Sequence, residues 1–598
     1  MKLHTVAASR TTPTVLLILI ALIGTGWHTL WSAHHGANTP RDDDANLFHL
    51  AVWTEQVLDG QLKLADGMPA MTPYPPLIPT LAALSFGDGP RSLSLAVGSL
   101  WPFVFLLSLF TGLGVRRAQG TAAGLAAAAL TPVITAYWQI RGQFYAEVPL
   151  AACIVTAVVA LEASGQFRRL GWCLVLGLSL AAGLLTKWTF AFFLGPVMAL
   201  AATIGVAQLA RPRLFQGALA LLTLSTLVGV GAAAMGRCPP PVPAGLGVGL
   251  GLTLAGLVFR KEYTEDAGRR LTGLLIAGGV CAVLAAPWYL WQLDTLRAFL
   301  ASNTSQQYQG DLPSLSEGWL YYPAVLLTRF LDTPQSILLL LGVLGSLVPG
   351  RSRLGMLCLL TLVCGLTALG VAPYRNHRYL VAALGLLTPV MFGALGGGRL
   401  VRWVSPFILA YALHRQQSWV VAIAGNGDLL WELSTPPPRD LFGNHRKDVA
   451  QARRELLRPT WQLHLVSPPP IHEVSAAREI AGIVARDAGR DPAGVTGAPW
   501  ELRFSDPQGL LTCDAVSAEL AARRSPPGSS CQPLQGGQRG VGPRYVVEVS
   551  PTGNPGWEPA YRQRASSWLG WRHKRLGAVR VRGFAPGMEG LATVWRAP

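Results

Sequence analysis

The sequence predicts an all-α polytopic membrane protein, residues 1–424, followed by a small soluble α/β domain over 425–598. Three observations carry this. The chain of 598 residues is 51% hydrophobic and only 14% charged, with mean hydropathy +0.35, far poorer in charge than an ordinary soluble domain. Apolar runs of ~20 residues recur, each long enough for a hydrocarbon core of ~30 Å. After residue 424 the apolar runs shorten, Pro, Arg and Asp become more frequent, and alternating segments appear.

Candidate spans lie at 14–33, 93–114, 120–139, 147–163, 170–186, 188–208, 214–235, 243–259, 271–291, 334–349, 354–372, 379–397 and 403–424, about 13 in all. Lys2 and Arg10 front the first, which reads as an uncleaved anchor because no small-x-small site follows its long apolar run. The last holds His414, Arg415, Gln416 and Gln417 near its middle, so to cross it must turn them toward other helices.

The net charge of +17 does not imply nucleic acid. The basic residues mark alternate loops: Arg116 and Arg117; Arg168 and Arg169; Arg211 and Arg213; Arg260, Lys261, Arg269 and Arg270; Arg351 and Arg353; Arg399 and Arg402. The positive-inside rule and anionic headgroups account for that pattern. It puts the N-terminus inside. Residues 34–92, and the C-terminal domain if the last span crosses, then lie outside, as in a bacterial inner-membrane protein facing out.

The 34–92 loop holds the densest polar chemistry. Asp42, Asp43 and Asp44 lead into a segment of helical period. Leu47, Leu50, Ala51, Val57 and Leu58 fall on one face; Asn46, His49, Trp53 and Gln56 fall on another. A short amphipathic helix with a Trp reads as interfacial. One Asp suits the helix N-cap, and Asp44 is assigned there. A carboxylate beside an apolar interface is raised in pKa by desolvation, which suits a general base. Tyr74-Pro75-Pro76-Leu77 then breaks any regular element.

Three more polar features fall on the same side. Glu147, in RGQFYAEVPL, precedes Pro149 at a helix start and reads either as a helix cap or as a catalytic acid. Lys187, in LTKW, sits outside against the charge trend, either snorkelling beside Trp188 or meeting a lipid phosphate. Arg375 and Arg378, in YRNHRY, carry the fork that suits phosphate.

In the C-terminal domain TWQLHLVS, WELRFSD and RYVVEVS alternate as strands do. HEVSAAREIAGIVARDAG and CDAVSAELAARR read as helices, and STPPPRDLFGNHRKD as the linker. No GxGxxG follows a strand there, and neither a P-loop nor a paired CxxC occurs. The basic tract Trp571 to Arg575 reads as a solvated face. Cys513 and Cys531 are expected to form a disulfide in an oxidising compartment, and the other six cysteines to act as small apolar residues.

In this order on one membrane side, the motifs resemble those of membrane glycosyltransferases with the GT-C fold. The resemblance is to the family 39 type, which holds the protein O-mannosyltransferases and lipid A aminoarabinose transferases. It rests on Asp43-Asp44 with Ala51 eight residues on, Pro75-Pro76-Leu77, Glu147-Val148-Pro149-Leu150, Leu185-Thr186-Lys187 and Arg378-Tyr379. It covers residues 1 to about 400 and departs in two places. The acidic pair is Asp-Asp rather than Asp-Glu, and Tyr74 stands where the aminoarabinose enzymes carry Lys.

The resemblance implies inverting transfer of a sugar from a polyprenyl-phosphate donor to a lipid, glycan or protein acceptor outside the membrane. Asp43 or Asp44 would take the acceptor's proton, with Glu147 as a further catalytic acid. Tyr74, Lys187, Arg375, Arg378 and Tyr379 would bind the donor, with fixed cations taking the phosphate's growing charge. Such chemistry requires no metal or cofactor. A transporter would instead carry ionisable groups near the midplane, often with internal repeats, and here they cluster at span ends. A ligase or polymerase of lipid-linked oligosaccharide is the third possibility, and the Glu147 and Lys187 motifs argue for the first.

Overall fold

The computed structural model describes residues 2–35, 43–62, 74–87, 91, 93–134, 137, 144–210, 267–304, 322–323, 325–331, 333–348, 352–371, 377–393, 395, 399–424, 471–488, 501–505, 516, 530–533, 545–552, 574–582 and 589–596. The expected spans at 214–235 and 243–259 lie outside them, as does the expected strand TWQLHLVS.

Helices occupy the other expected spans. α1 is Lys2–His35, α2 Asp43–Leu58, α3 Leu77–Phe86, α4 Leu93–Gly98, α5 Trp101–Gln119 and α6 Thr121–Leu130. α7 is Glu147–Ala163, α8 Leu170–Thr186, α9 Phe190–Ala210, α10 Ala267–Trp291 and α11 Leu293–Thr304. α12 is Thr333–Leu347, α13 Arg353–Val371, α14 Leu384–Gly393 and α15 Arg399–Ala424. Proline explains two departures from continuous spans. The expected 93–114 segment divides into α4 and α5, with Pro102 in the first turn of α5. Pro132 lies in a 3-10 turn, Thr131–Val133, that ends α6. Leu93–Gln119, Arg269–Trp291 and Arg353–Gly370 are long and apolar enough to cross a membrane, by length and composition; shorter apolar helices accompany them. The finer count of about 13 spans is a reading of the sequence.

The two ends of the bundle differ. At one end Arg116 donates to Thr14 of α1, and Arg117 pairs with Glu162 at the end of α7, 3.3 Å apart. Arg270 at the start of α10 donates to Gln166 just beyond α7, 2.8 Å. The basic loops therefore gather at the end where α5 and α7 finish. Small residues hold the helices close, as packing in lipid requires. A Cβ on Gly177 of α8 would sit 2.7 Å from the Ala277 carbonyl oxygen of α10. One on Gly385 of α14 would sit 2.7 Å from Val155 of α7.

Residues 501–596 contain a five-stranded mixed sheet: β1 Glu501–Ser505, β2 Ser530–Pro533, β3 Tyr545–Thr552, β4 Lys574–Arg582 and β5 Glu589–Arg596. The order is β2-β1-β3-β5-β4; β1 is parallel to β2 and β3, and β5 is antiparallel to β3 and β4. Helix α16, Ile471–Ala488, packs on β4 with Ile483 against Gly577. β1, β3 and α16 follow expected segments, whereas β2, β4 and β5 were not legible. β4 begins inside the basic tract read as a solvated face; the side chains of Lys574 and Arg575 lie outside the description, as does Cys513 and the expected bridge.

The α8–α9 turn is tightly packed near the polar end. A Cβ on Gly183 would fall 2.1 Å from the Phe190 ring. Gly183→Ala is therefore expected to destabilise by about 1–3 kcal/mol through overpacking. Phe190→Leu in the same chain should recover most of that loss. Thermal unfolding in detergent checks both; an unchanged midpoint in Gly183→Ala would contradict the packing.

Candidate active site

Separate sequence motifs meet at the end of the bundle opposite the basic loops. Glu147 is the first residue of α7, behind buried Phe144, Tyr145 and Ala146. Its carboxylate thus sits at the positive end of the helix dipole. Lys187 caps α8 in extended conformation, its amide donating to the Gly183 carbonyl at 3.0 Å. A cation at that end faces the last helical carbonyls. Lys187 Nζ donates to Glu147 Oε1 at 2.7 Å, with side chains only 5% and 1% exposed. Each charge therefore stands at the helix terminus whose dipole favours it, and the two pair with each other.

Two aromatic rings complete the cluster. Lys187 Nζ lies 5.2 Å from the Tyr379 ring centre and 5.9 Å from that of Tyr74, within cation–π range. Tyr379 stands on the 3-10 segment His377–Ala383, which packs along α7. Tyr74 is buried just ahead of α3, whose start at Leu77 follows the two prolines, and α3 packs on α8. Tyr289 of α10 donates to the Leu184 carbonyl at 2.9 Å, holding the last turn of α8.

The structure thus brings together Tyr74, Glu147, Lys187 and Tyr379. Lys187 does not snorkel: it is buried and paired. Asp43 and Asp44 lie in the first turn of α2, their side chains outside the description, and Asp42 and Arg375 lie wholly outside it. Arg378 is described only as backbone of the 3-10 segment. Because α2 begins at Asp43, Asp44 falls within the helix rather than at its cap. The buried stripe of α2 also differs from the expected one: it runs Leu47, Phe48, Leu50, Ala51, Val52 and Glu55, and Leu58 is 57% exposed. The buried positions run over more than half the girth of the helix, and α3 is one of the elements it packs on, so two-face periodicity was the wrong template.

Several polar groups escaped the sequence reading. Glu55 pairs with Arg91, both buried. The signal was a carboxylate four residues after Ala51, on the apolar stripe. His28 and Tyr137 form a buried pair, Nδ1 to hydroxyl 2.9 Å. Burial holds the His49 imidazole well below its usual 6.5, near 4, so it is neutral through the physiological range. At the basic end Gln166 and Phe167 adopt left-handed φ of 59° and 67°, a strain no local motif announces.

A buried ion pair adds little net stability, but removing one partner strands the other. Glu147→Ala is expected to cost about 3–5 kcal/mol, while Glu147→Gln with Lys187→Met should recover most of it. Thermal unfolding of the three proteins checks this; equal midpoints for Glu147→Ala and the wild type would contradict the pairing.

No protein-family model matches the chain, and no curated protein matches it. Among solved structures it is similar to ArnT from Cupriavidus metallidurans in the apo state, at 14% identity over 98% of each chain and TM-score 0.51. ArnT from the same organism bound to undecaprenyl phosphate aligns over 97% of each chain, at 13% identity and TM-score 0.49. The archaeal oligosaccharyltransferase AglB from Archaeoglobus fulgidus, in complex with an inhibitory peptide and a dolichol-phosphate, aligns over 87% of this chain and 65% of its own, at 14% identity and TM-score 0.40. The likeness to apo ArnT runs nearly end to end; with the apolar helices, it identifies the chain as an integral membrane protein with the GT-C fold.

Proposed function

We propose that this chain is an inverting glycosyltransferase that moves a sugar from a polyprenyl-phosphate carrier to an acceptor on the outer face of the membrane. One observation carries the reading. Tyr74, Glu147, Lys187 and Tyr379 come from four separate motifs, and Lys187 touches the other three. They meet at helix ends, as a lipid phosphate at the membrane surface requires, and not at mid-span. A transporter gives no reason for that convergence, and the GT-C fold supports the enzyme.

The chemistry follows from the residues. Asp43, or Asp44 beside it, accepts the proton of the acceptor hydroxyl. The hydroxyl oxygen attacks the anomeric carbon from the face opposite the phosphate, so the centre inverts. The bond to the phosphate oxygen breaks and the electron pair leaves with the lipid phosphate. Lys187, Arg375 and Arg378 meet that charge as it grows. An ammonium has three donors, and Glu147 takes one of them. Glu147 thereby fixes where the ammonium sits, and the two tyrosine rings limit its swing. In this reading residues 34–92 form the outer catalytic loop, and residues 425–598 are extracytoplasmic.

The test uses purified protein and a fluorescent polyprenyl-phosphate sugar. Lys187→Gln and Arg378→Gln should each lower turnover by about 100- to 1,000-fold, with much smaller effects on donor binding. Arg378→Lys should restore only part of the loss, because a point charge lacks the fork. Turnover within about twofold of wild type in both Gln variants, at equal folded amounts, would defeat the phosphate assignment.

A further inference from the structure

We infer that the buried Glu55–Arg91 ion pair is a positioning device, which fixes the rotation of α2 and so aims Asp43 and Asp44. The inference rests on the proposed role of those two carboxylates. Glu55 lies on α2 twelve residues after Asp43, ~18 Å along the axis at 1.5 Å per residue. Arg91 lies two residues before α4. α4 packs against α1 and α3 and leads straight into α5, the long helix that ends at the basic loops. Arg91 thus belongs to the root of the scaffold, and Glu55 to the element that carries the reacting groups.

Much of the rest of the described burial of α2 is apolar. Leu47, Phe48, Leu50, Ala51 and Val52 are buried, and Phe48 meets Phe86 of α3 edge-on at 5.8 Å. Apolar burial is non-directional, so a helix held only that way can rotate on its neighbours. A buried ion pair ties one point of the helix to one point of the scaffold, and rotation that parts the two charges strands both. Glu55 occupies the next position of the same stripe.

Stability does not explain the pair. Buried ion pairs are often matched or bettered by apolar residues of similar volume. This one carries an added cost, since Arg91 Nη1 and Nη2 are buried without a hydrogen-bond partner among the described residues. The best-attested use of such a pair is to specify register. The leverage is large. A carboxylate at the surface of a helix ~10–12 Å across moves about 1 Å for a rotation of roughly 10°. Misplacing a reacting group by about 1 Å can cost about 100-fold in rate.

Four variants of the full-length protein test this: Glu55→Gln, Arg91→Gln, Arg91→Lys, and Glu55→Leu with Arg91→Met. The apolar double variant should unfold at or above the wild-type temperature. Its kcat should stay at least about 30-fold low with the donor KM unchanged, since only the aim of the base is lost. Arg91→Lys, which keeps the charge, should fall between wild type and Arg91→Gln in kcat. Amide hydrogen exchange over 43–58 should be faster in the double variant than in the wild type. Wild-type kcat in a folded double variant would overturn the inference, as would a change in KM alone in Arg91→Lys. The exchange arm needs no activity. If the wild type transfers no sugar, the enzyme reading fails, and unchanged exchange in the double variant separately refutes the positioning role.

Discussion

The contact between Lys187 and Glu147 governs the polar end of this molecule. Neither charge could be buried alone, because an unpaired ion away from water is too costly to persist. Each stands at the helix terminus whose dipole favours it, Glu147 at the start of α7 and Lys187 at the end of α8. The two antiparallel helices must therefore keep their register, and the cluster inherits its geometry from that register. Tyr379 arrives on the segment packed along α7, and Tyr74 on the approach to α3 against α8.

Close packing makes that register possible. Gly183 admits the Phe190 ring beside the last turn of α8, so the chain reverses just after Lys187. Gly385 lets α14 approach the backbone of α7, where its Cβ would lie 3.0 Å from the Ala151 carbonyl oxygen. In lipid there is no hydrophobic gain from joining two apolar helices, so such small residues carry the association. At the other end, Arg117 pairs with Glu162 and Arg270 donates to Gln166, at and just beyond the helix ends. An end of paired basic residues and an end with a buried Lys–Glu–Tyr cluster give the bundle its polarity.

Much of the helical core was legible because the apolar period and the proline positions are local properties. The spans at 147–163 and 170–186 coincide with α7 and α8. The convergence of Tyr74, Glu147, Lys187 and Tyr379 was legible only as a set of motifs on one membrane side. The ion pair itself was not, since nothing local says that residues forty apart share a proton-rich contact. Glu55–Arg91 was missed for the opposite reason. Its signal, a carboxylate on an apolar stripe, was present, but the α2 template allowed only one buried face. In the C-terminal region β1, β3 and α16 showed the expected periods, whereas β4, which begins inside the basic tract 571–575, showed none that was read. Strand pairing, not composition, makes Lys574–Arg582 an edge strand beside β5.

If Lys187 and its neighbours exist to hold a lipid phosphate, the protein should carry that lipid out of the membrane. Mass spectrometry of lipid co-purified with the wild-type chain tests this most directly, with Lys187→Gln prepared in parallel. A polyprenyl phosphate, or its sugar adduct, should be enriched over the bulk membrane in the wild type and depleted in the variant. A lipid profile equal to the bulk membrane in both preparations would contradict the account.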